Sequence, residues 1–319
     1  MKFLMIGDIH IRGTSPRNRT DNYVEACKAK LRECWEIAKE HNVTAILQPG
    51  DVFHSPEVSI GTLLEFVTIF QECPVPIYCT VGNHDVFSYN LETYGRTSLQ
   101  LLQMLLNGKL NVFAVNVRDT IFGDVWLAAQ PYTSQVDVNG WGYSTQVGFV
   151  GNCKANIQMT HGMLLDHNLP YEAKFTNLYE VETNANIILT GHDHTGYGAI
   201  KRSDGKLFVN PGALMRLSAS TTELERPIQV AIIDTDTLTA TLIPLKCAKP
   251  GPEVLDRTKI EENNARQYAM EEFSALIQTG DGQKVLLNIP DIIERIGKQE
   301  KLPANVIKKA IELLGGDLS

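Results

Sequence analysis

The chain has little of several features that mark other classes of protein. Its apolar stretches are strand-sized, far short of the ~18–20 residues of a membrane-spanning helix, so we expect no membrane segment. The six cysteines are scattered and form no Cys-x-x-Cys pair, which argues against a disulfide scaffold or a cysteine-based metal site. Positive charge is also in deficit, because 29 basic residues face 37 acidic ones and give a net charge of -8. This balance disfavours a protein that binds nucleic acid by bulk charge.

The N-terminal run Met1–Gly7 is short and apolar, and it leads directly into Asp8. It has neither a charged region before it nor a small-residue cleavage site, so we predict a strand and not a signal peptide. Without an export signal the cysteines are expected to be reduced, and we therefore predict a cytoplasmic protein.

The chain does have enough apolar sequence for a sizeable core, since 43% of its 319 residues are hydrophobic. Its length favours about two domains. In the first half, strand-like apolar runs alternate with amphipathic helical patterns, which predicts a parallel sheet with helices on its faces. The predicted strands are Lys2–Ile6, Val43–Leu47 and Pro76–Val81, and the predicted helices are Tyr23–His41, Gly61–Phe70 and Arg96–Leu106.

From Asn111 onward the pattern changes to short strands and turns, which predicts a second, more antiparallel sheet. This part contains a predicted hairpin, Ile228–Ile233 followed by Leu238–Ile243. The Pro-Gly-Pro segment at Pro250–Pro252 indicates a domain boundary. We therefore predict a domain over residues 1–250 and a helical extension over residues 251–319. Helical patterns in the extension cover Lys259–Ile277, Pro290–Gly297 and Ala304–Leu314.

Five of the strand-like runs end in histidine, aspartate or asparagine. Because loops beyond the carboxyl ends of strands line the ligand crevice of an open α/β sheet, these clusters should meet at one edge. In Asp8-Ile9-His10 and His192-Asp193-His194 the outer residues share one side of an extended chain, so each pair offers two ligands and Asp193 points away. The candidate ligands are Asp8, His10, Asp51, Asn83, His161, His192 and His194.

This set of ligand types points to a particular metal chemistry. Imidazole, carboxylate and amide oxygen together suit transition metals such as manganese, iron or zinc. Seven ligands are too many for one tetrahedral ion but suit two ions that share a bridging carboxylate. Two ions ~3.5–4 Å apart stabilise both the attacking and the leaving oxygen when a phosphoester is displaced in line. The pattern therefore predicts a two-metal phosphoesterase.

The same residues carry a family resemblance. The blocks that carry it are Asp8-x-His10, Gly50-Asp51, Gly82-Asn83-His84-Asp85, His161-Gly162 and Gly191-His192-x-His194. In these blocks the chain resembles the calcineurin-like metallophosphoesterases, and no ligand position is substituted. The resemblance implies an α/β fold, a four-layer α-β-β-α sandwich, here with a small C-terminal helical extension. The stretch from Gly50 to Asp85 is similar to the DNA double-strand-break-repair exonucleases of the bacterial SbcD type.

The resemblance also implies a role for each site residue. One ion is held by Asp8, His10, Asp51 and His194, and the other by Asp51, Asn83, His161 and His192, so that Asp51 bridges the two. The ions activate the attacking water, with manganese the first candidate metal and magnesium, iron or zinc as alternatives. His84 protonates or stabilises the leaving oxygen, and Asp85 orients His84. His54 helps to seat the DNA end, with a capping or loop histidine as the equal alternative.

Further expectations concern partners. Arg12, Arg17 and Arg19 follow the first ligand pair and are candidates for contacts with DNA phosphates, with a solvated loop as the alternative. In the repair-nuclease branch, helices at the places of Gly61–Phe70 and Arg96–Leu106 build a homodimer. In that branch the segment after the catalytic domain caps the site and docks an SMC-like, ABC-type ATPase. The tail here is shorter than that docking region, which weakens the expectation of an ATPase subunit.

Three functions follow from these patterns. The first is a two-metal DNA exonuclease or endonuclease of the repair or recombination type. The alternative is a phosphodiesterase or phosphatase for cyclic nucleotides or other small phosphoesters, because the catalytic core is the same. A non-catalytic scaffold is disfavoured, since such family members lack some ligands or the histidine at position 84, and here all of them are intact.

Overall fold

The computed structural model describes residues 1–114, 118–145, 153–258, 294, 297–298 and 302–313. The chain forms two compact units, Met1–Thr258 and Lys259–Ser319. The first unit contains two six-stranded sheets. All seven candidate ligands belong to this unit.

The first sheet has four parallel strands that come early in the chain. They are β1 (Lys2–Met5), β2 (Ala45–Gln48), β3 (Ile77–Thr80) and β4 (Leu110–Phe113). A late hairpin of β13 (Gln229–Asp234) and β14 (Thr239–Pro244) extends this sheet, because β13 pairs antiparallel with β1. The strand order is β14-β13-β1-β2-β3-β4. The predicted parallel core of strands is confirmed.

Three helices pack on one face of this sheet: α1 (Tyr23–Glu40), α2 (Ile60–Gln71) and α3 (Ser98–Leu106). Each begins after a residue whose side-chain oxygen accepts a hydrogen bond from a backbone N–H of the first turn. These N-cap residues are Asn22, Ser59 and Thr97. Such caps satisfy donors that have no partner within the helix, which explains where each helix begins.

The second sheet consists of β5 (Arg118–Phe122), β6 (Val125–Gln130), β7 (Ala155–Gly162), β10 (Ile187–His192), β11 (Gly198–Lys201) and β12 (Leu207–Asn210). Its order is β11-β12-β10-β7-β6-β5. A separate pair joins β8 (Leu164–Leu165) to β9 (Thr176–Asn177). The four central strands are parallel, and antiparallel pairing occurs at the two edges, between β11 and β12 and between β5 and β6.

Two expectations about this half of the chain are wrong. The second sheet is mainly parallel, where the sequence predicts a more antiparallel one. The predicted hairpin does form, but it joins the first sheet. In that position it covers the outer edge of β1, whose backbone N–H and C=O groups would otherwise lack partners on that side.

Alternation along the strands separates the layers of the sandwich. Phe3 and Met5 face the second sheet, and Leu4 between them faces the helices. In the second sheet, Ile187 and Leu189 face the first sheet. The side chain of Ile188 points outward. A strand that alternates in this way buries apolar side chains on both faces, which requires a cover on each side.

The outer cover of the second sheet completes the α/β sandwich and has an irregular character. Val136, Tyr143, Leu178 and Val181 pack on this face from the segments around β7 to β10. Within the described residues these segments hold the short 3-10 turn Val138–Gly140 and the β8–β9 pair. The predicted four-layer sandwich is confirmed, and the described part of this fourth layer is built mostly from turns.

The first unit continues beyond the Pro250–Pro252 segment to Thr258. Two short helices, α4 (Thr221–Glu225) and α5 (Gly251–Val254), pack through Ala219, Leu224 and Val254. An isolated bridge pairs Leu255 with Arg19. These contacts attach the residues just after position 250 to the first unit.

In the second unit the structure describes α6 (Ala304–Leu313), at the place of the last predicted helix. The predicted helix Lys259–Ile277 and most of Pro290–Gly297 lie outside the described residues. Among the helices that are described, none combines the length and the apolar composition needed to cross a membrane. All six cysteines are free thiols.

Candidate active site

The candidate ligands converge where strands of both sheets end. They are Asp8 and His10 after β1, Asp51 after β2, Asn83 after β3, His161 and His192 at the carboxyl ends of β7 and β10, and His194 just beyond β10. Contacts join the two sheets directly. The backbone N–H of His192 donates to Asp8 Oδ2 at 2.9 Å, and His161 Nε2 lies 3.5 Å from Asp51 Oδ2. The two sheet edges therefore form a single polar site.

The first group of ligands is Asp8, His10, Asp51 and His194. Their ligand atoms all lie within 4.8 Å of one another. His10 Nε2 is 2.9 Å from His194 Nε2, and His194 Nε2 is 3.4 Å from Asp8 Oδ2. These four residues are the set that the sequence resemblance assigns to one ion.

The second group is Asp51, His161 and His192, whose ligand atoms also lie within 4.8 Å of one another. Asn83 belongs beside them, because its Oδ1 is 2.9 Å from His161 Nε2. The other ring nitrogen of His161, Nδ1, is 2.8 Å from the carbonyl oxygen of Pro49. A carbonyl can only accept, so Nδ1 carries hydrogen and Nε2 is the atom left for an ion.

The two groups share Asp51, and its carboxylate provides a test of whether two cations fit. Oδ2 of Asp51 is buried and makes no hydrogen bond within the described residues. It lies 3.6 Å from His10 Nε2 and 3.5 Å from His161 Nε2. Oδ1 of Asp8 is likewise buried and without a hydrogen bond. Buried carboxylate oxygens are costly unless a cation or a donor meets them, so this donor set fits two divalent ions with Asp51 between them.

Burial and the carboxylates together set the protonation of the histidines. Burial opposes a charge on His161, but the nearby Asp51 carboxylate outweighs it and raises the pKa of His161 to about 9. Burial lowers the pKa of His10 to about 3 and that of His192 to about 4, despite the attraction of Asp51. The pKa of Asp51 is itself lowered. Burial alone would raise it, but the facing histidines, His161 first, outweigh burial. The site therefore keeps Asp51 ionised and His10 and His192 neutral, as ligation requires.

Backbone geometry brings the ligands into these positions. His10, Asp51 and His192 adopt positive φ angles of 53°, 55° and 81°. Such left-handed backbone is uncommon outside glycine and clusters at functional sites. A Cβ at Gly82 would collide with the carboxylate and backbone N of Asp51, so only glycine permits β3 to end this close to β2.

His84 lies beside both groups. Its backbone N–H donates to Asp51 Oδ1 at 2.8 Å, and its Nδ1 is 2.9 Å from the carbonyl oxygen of His54. The rings of His54 and His84 stack with centroids 5.3 Å apart, and the ring of His10 meets His84 edge-on at 4.9 Å. Since the His54 carbonyl accepts from Nδ1, the free nitrogen of His84 is Nε2.

Asp85 has different partners from those that the resemblance implies. Its carboxylate accepts hydrogen bonds from the backbone N–H groups of Phe53 and Gly82, each at 2.9 Å. Burial and then the charge of Asp51 raise the pKa of Asp85 to about 7. Asp85 thus fixes the loops after β2 and β3, and the His54 carbonyl occupies the place expected for Asp85 on the His84 ring.

Two residues that orient the site are absent from the sequence prediction. Buried Gln48 accepts from the backbone N–H of Gly50 at 3.0 Å and thereby shapes the turn before Asp51. A glutamine that ends an otherwise apolar strand is a signal that could have identified it. Tyr132 faces the rings of His161 and His192, with centroids 6.1 and 5.7 Å away. No motif marks Tyr132, because it comes from the loop after β6.

The three candidate arginines differ in their surroundings. Arg12 lies near His54, and its charge joins burial in lowering the pKa of His54 to about 4. Arg12 Nε is buried without a hydrogen bond within the described residues, whereas Arg17 is exposed. The side chain of Arg19 is only 2% exposed and forms two hydrogen bonds of 2.7 Å with Asp21. Arg12 and Arg17 are thus open to a ligand near the site, and Arg19 is bound within the protein.

Asp193 lies between two ligands and faces away from them. Its carboxylate accepts from the backbone N–H groups of Thr195 and Gly196, at 3.1 and 3.0 Å. Asp193 thus points away as predicted, although the chain is not extended here, because His192 has a φ of 81°.

Comparison with known proteins adds a family and one curated relative. The family model of the calcineurin-like phosphoesterases matches residues 1–196. The DNA double-strand break repair protein Mre11 of Archaeoglobus fulgidus is 26% identical over 235 residues. The match covers 68% of this chain and 50% of the relative, so the chain spans about half the length of the curated relative that it matches.

Two solved structures are among the matches. A putative 5'-nucleotidase from Staphylococcus aureus is 14% identical with a TM-score of 0.44, over 76% of this chain and 52% of that one. Yfce, a phosphoesterase from E. coli, is 15% identical with a TM-score of 0.37, over 77% of this chain and 100% of that one. The family match covers more than half of the chain and contains every ligand block. The chain belongs to the calcineurin-like phosphoesterase family.

Proposed function

We propose that the chain is a two-metal phosphodiesterase that cleaves DNA, as an exonuclease, an endonuclease or both, in repair or recombination. The observation that carries the proposal is the pair of ligand groups that share Asp51, whose Oδ2 makes no hydrogen bond within the described residues, with His84 directly beside them. Manganese is the proposed metal, and magnesium, iron and zinc suit the same oxygen and nitrogen donors.

The proposed ion positions follow the two groups. Asp8, His10, Asp51 and His194 would hold one ion, and Asp51, Asn83, His161 and His192 the other. When bound, such ions supply Lewis-acid stabilisation of the phosphoryl oxygens and lower the pKa of water at the site. The protein's own contribution is to hold two carboxylates, four imidazoles and one amide at a largely buried edge before the substrate arrives.

His84 is the proposed acid. The carbonyl of His54 binds Nδ1, so the proton available for transfer is the one on Nε2. Protonated His84 donates that proton to the leaving oxygen, or stabilises its negative charge by a hydrogen bond. Stacking on His54 and the backbone bond to Asp51 fix the ring, which keeps Nε2 in one direction. His54 is thus a positioning residue for His84 as well as a proposed contact for the DNA end.

The proposal of DNA as substrate has two supports. The curated relative is a DNA double-strand break repair protein by name. In addition, Arg12 and Arg17 belong to the loop that follows the first ligand pair, where cations can contact phosphates on either side of the scissile bond. Exposed Tyr89 and the neighbouring Tyr132 have ring centroids 6.1 Å apart at the same rim and offer faces for base stacking.

The second candidate is a phosphodiesterase or phosphatase for cyclic nucleotides or other small phosphoesters. The net charge of -8 and the internal pairing of Arg19 favour it, since both reduce the positive surface available to a polymer. Labelled duplex DNA, labelled single-stranded DNA and cyclic dinucleotides, assayed side by side with manganese, separate the two functions. Cleavage of either DNA supports the nuclease, and rapid cyclic-dinucleotide turnover without DNA cleavage overturns it.

A homodimer is part of the proposal. Neighbouring helices α2 and α3 carry an exposed apolar face: Ile60, Leu64, Leu101, Met104 and Leu105. Ile60 and Met104 are 75% and 66% exposed, which is unusual for large apolar side chains on adjacent helices. Light scattering of the full chain should give a dimer, and Leu64→Glu should convert it to a monomer. A monomeric parent chain would contradict this part of the proposal.

We also propose that residues 251–319 cap the site or dock an SMC-like ATPase, and that the protein is cytoplasmic. The support for docking is the resemblance, together with half-exposed Leu302 just before α6 and half-exposed Val306 in its first turn. The support for the location is the free state of all six thiols. Co-purification of the tagged chain from its own cells tests the partner, because deletion of residues 259–319 should abolish any ATPase recovered with it.

A further inference from the structure

A cavity of about 310 Å³ lies beside the first turns of α1, lined by residues that the proposed reaction does not use. Its walls include Arg19, Lys30, Arg216 and Lys249, together with Asp21 and Glu25. Lys30 and Arg216 are each only 4% exposed, so this cavity reaches cations that are almost wholly removed from water.

The two acidic residues on the cavity wall are already paired with other cations. Asp21 binds Arg19 through both oxygens at 2.7 Å. Glu25 accepts from Lys28 Nζ at 2.9 Å. Asp21 is therefore engaged by Arg19, and Glu25, which shares Lys28 with Glu65, makes no hydrogen bond to Lys30 or Arg216 within the described residues.

The nearest further acid is also engaged. Buried Glu223 binds Arg226 Nε at 2.8 Å through Oε1, and its Oε2 makes no hydrogen bond within the described residues. Glu223 therefore forms an ion pair with Arg226 and makes no hydrogen bond to Arg216. Arg19 pairs with Asp21 and Arg226 pairs with Glu223, so neither Lys30 nor Arg216 has a carboxylate partner within the described residues.

The uncompensated cations are Lys30 and Arg216. Lys30 Nζ meets only neutral acceptors within the described residues, the carbonyl oxygen of Leu214 at 2.8 Å and the sulfur of Met215 at 3.5 Å. Arg216 Nε and Nη1 are buried and have no hydrogen-bond partner in the same part of the chain. Burial, then repulsion from Arg19, lowers the pKa of Lys30 to about 8, which still leaves it charged at neutral pH. Burial and then the charge of Arg226 lower the pKa of Arg216 to about 10, although the charge of Glu223 opposes this shift.

Buried charges without counter-charge are strongly unfavourable unless a partner meets them. The missing partner must be an anion, must be able to contact two cations at once, and must accept hydrogen bonds from the flat edge of a guanidinium. A phosphate group meets all three conditions, because its oxygens match the spacing of the Arg donors and a second cation can bind from another side.

We propose that this cavity is a second anion site, separate from the metal ligands, that binds a phosphate group through Arg216 and Lys30, with Lys249 at its rim. The phosphate is either free or part of a small phosphomonoester. The site does not depend on the proposed nuclease reaction, because none of its residues is a metal ligand.

Calorimetric titration of the full chain with inorganic phosphate tests the site. The titration is done once with manganese and once with chelator, so that phosphate bound by metal is recognised by its loss. We expect one phosphate per chain to remain in chelator. Arg216→Gln should weaken it by about 10- to 100-fold, the usual range for a lost hydrogen bond to a charged group.

A milder variant keeps the test decisive if Arg216→Gln does not fold. Lys249 is exposed, so the variant Lys249→Gln should fold normally. Its affinity for phosphate should be about two- to fivefold lower than that of the parent chain. Lys246→Gln is the matched control, since it removes one exposed positive charge from the same segment but does not line the cavity. Its affinity should equal that of the parent chain.

A parallel titration with a nucleoside monophosphate identifies the source of the phosphate. If the nucleoside monophosphate binds at least as tightly as inorganic phosphate, and Lys249→Gln weakens both to the same extent, the ligand is a phosphomonoester. If the nucleoside monophosphate binds more weakly, the ligand is free phosphate. The proposal is overturned if the folded parent chain binds neither compound in chelator. It is equally overturned if Lys249→Gln and Lys246→Gln bind phosphate alike.

Discussion

The first unit buries charged groups with unused hydrogen-bonding atoms in two places, and the two places have opposite sign. At the sheet edge, Oδ2 of Asp51 and Oδ1 of Asp8 lack hydrogen-bond partners within the described residues. In the cavity beside α1, Nε and Nη1 of Arg216 also have no hydrogen-bond partner in this part of the chain. A folded chain tolerates such groups when a ligand of opposite charge completes them. The comparison therefore indicates cations at one site and an anion at the other.

The largest expected effect breaks the anionic site at its shared residue. Asp51→Ala removes a ligand from both groups, so the metal content should fall from about two ions per chain towards zero and hydrolysis of bis-p-nitrophenyl phosphate by more than about 10³-fold. Elemental analysis and the colorimetric assay measure the two quantities. Asp193→Ala is the control, because that carboxylate lies between two ligands but points away. Equal loss in both variants would show that general disruption, and not ligation, is responsible.

Next in size is the loss of the proposed acid. His84→Asn should lower kcat by about 10²–10⁴-fold, the usual contribution of a positioned proton donor. Metal content should stay near that of the parent chain, since His84 belongs to neither of the two ligand groups that share Asp51. His167→Asn, at an exposed histidine, should leave both quantities unchanged. Full turnover of the His84 variant would refute its assignment.

A smaller effect is expected from the close approach of β2 and β3. Gly82→Ala places a methyl group against Asp51 and should destabilise the fold by about 1–3 kcal/mol, the range for overpacking. Gly95→Ala adds the same group where no heavy atom lies within 4 Å, so its stability should change by less than about 0.5 kcal/mol. Urea denaturation of both variants measures the difference. Equal midpoints would mean that the loop after β3 can move away from Asp51.

A last prediction, on ligand-induced shifts in Tm, sharpens the comparison itself. At about 100 times its Kd, manganese should add about 2.7 kcal/mol to the first unit and raise Tm by about 5–10 °C. Phosphate at about ten times its Kd should give roughly half of that shift. Asp51→Ala should abolish the manganese shift and keep the phosphate shift in scanning calorimetry, and Arg216→Gln should do the reverse. Loss of both shifts in either variant would mean that the two charged clusters are one site.

Much of the active site could be predicted from the sequence because its chemistry is local. Each ligand block is a short polar cluster directly after an apolar strand, and strand ends in a parallel sheet meet at one edge. The same holds for α1 to α3, whose periodic apolar faces and N-caps lie within the segments themselves. Asp8 and His194 could thus be placed together although 186 positions separate them in the chain.

The features that escaped prediction depend on distant partners. Whether a strand pairs parallel or antiparallel is decided by its neighbour, so the short strands after Asn111 do not indicate a parallel second sheet. The partners of Asp85 are backbone N–H groups, which no sequence pattern displays. Lys30 and Arg216 meet across the fold from segments with no motif, and no pattern shows that Arg19 is bound by its near neighbour Asp21.

The left-handed backbone at His10, Asp51 and His192 restricts how evolution or an engineer can alter the metal preference. Histidine, aspartate and asparagine accept this conformation more readily than other side chains, and β-branched residues reject it. Exchange among those three types is therefore open at each position, which shifts the balance between nitrogen and oxygen donors. Conversion to a sulfur-rich centre, selective for softer ions, would require the loops to be rebuilt first.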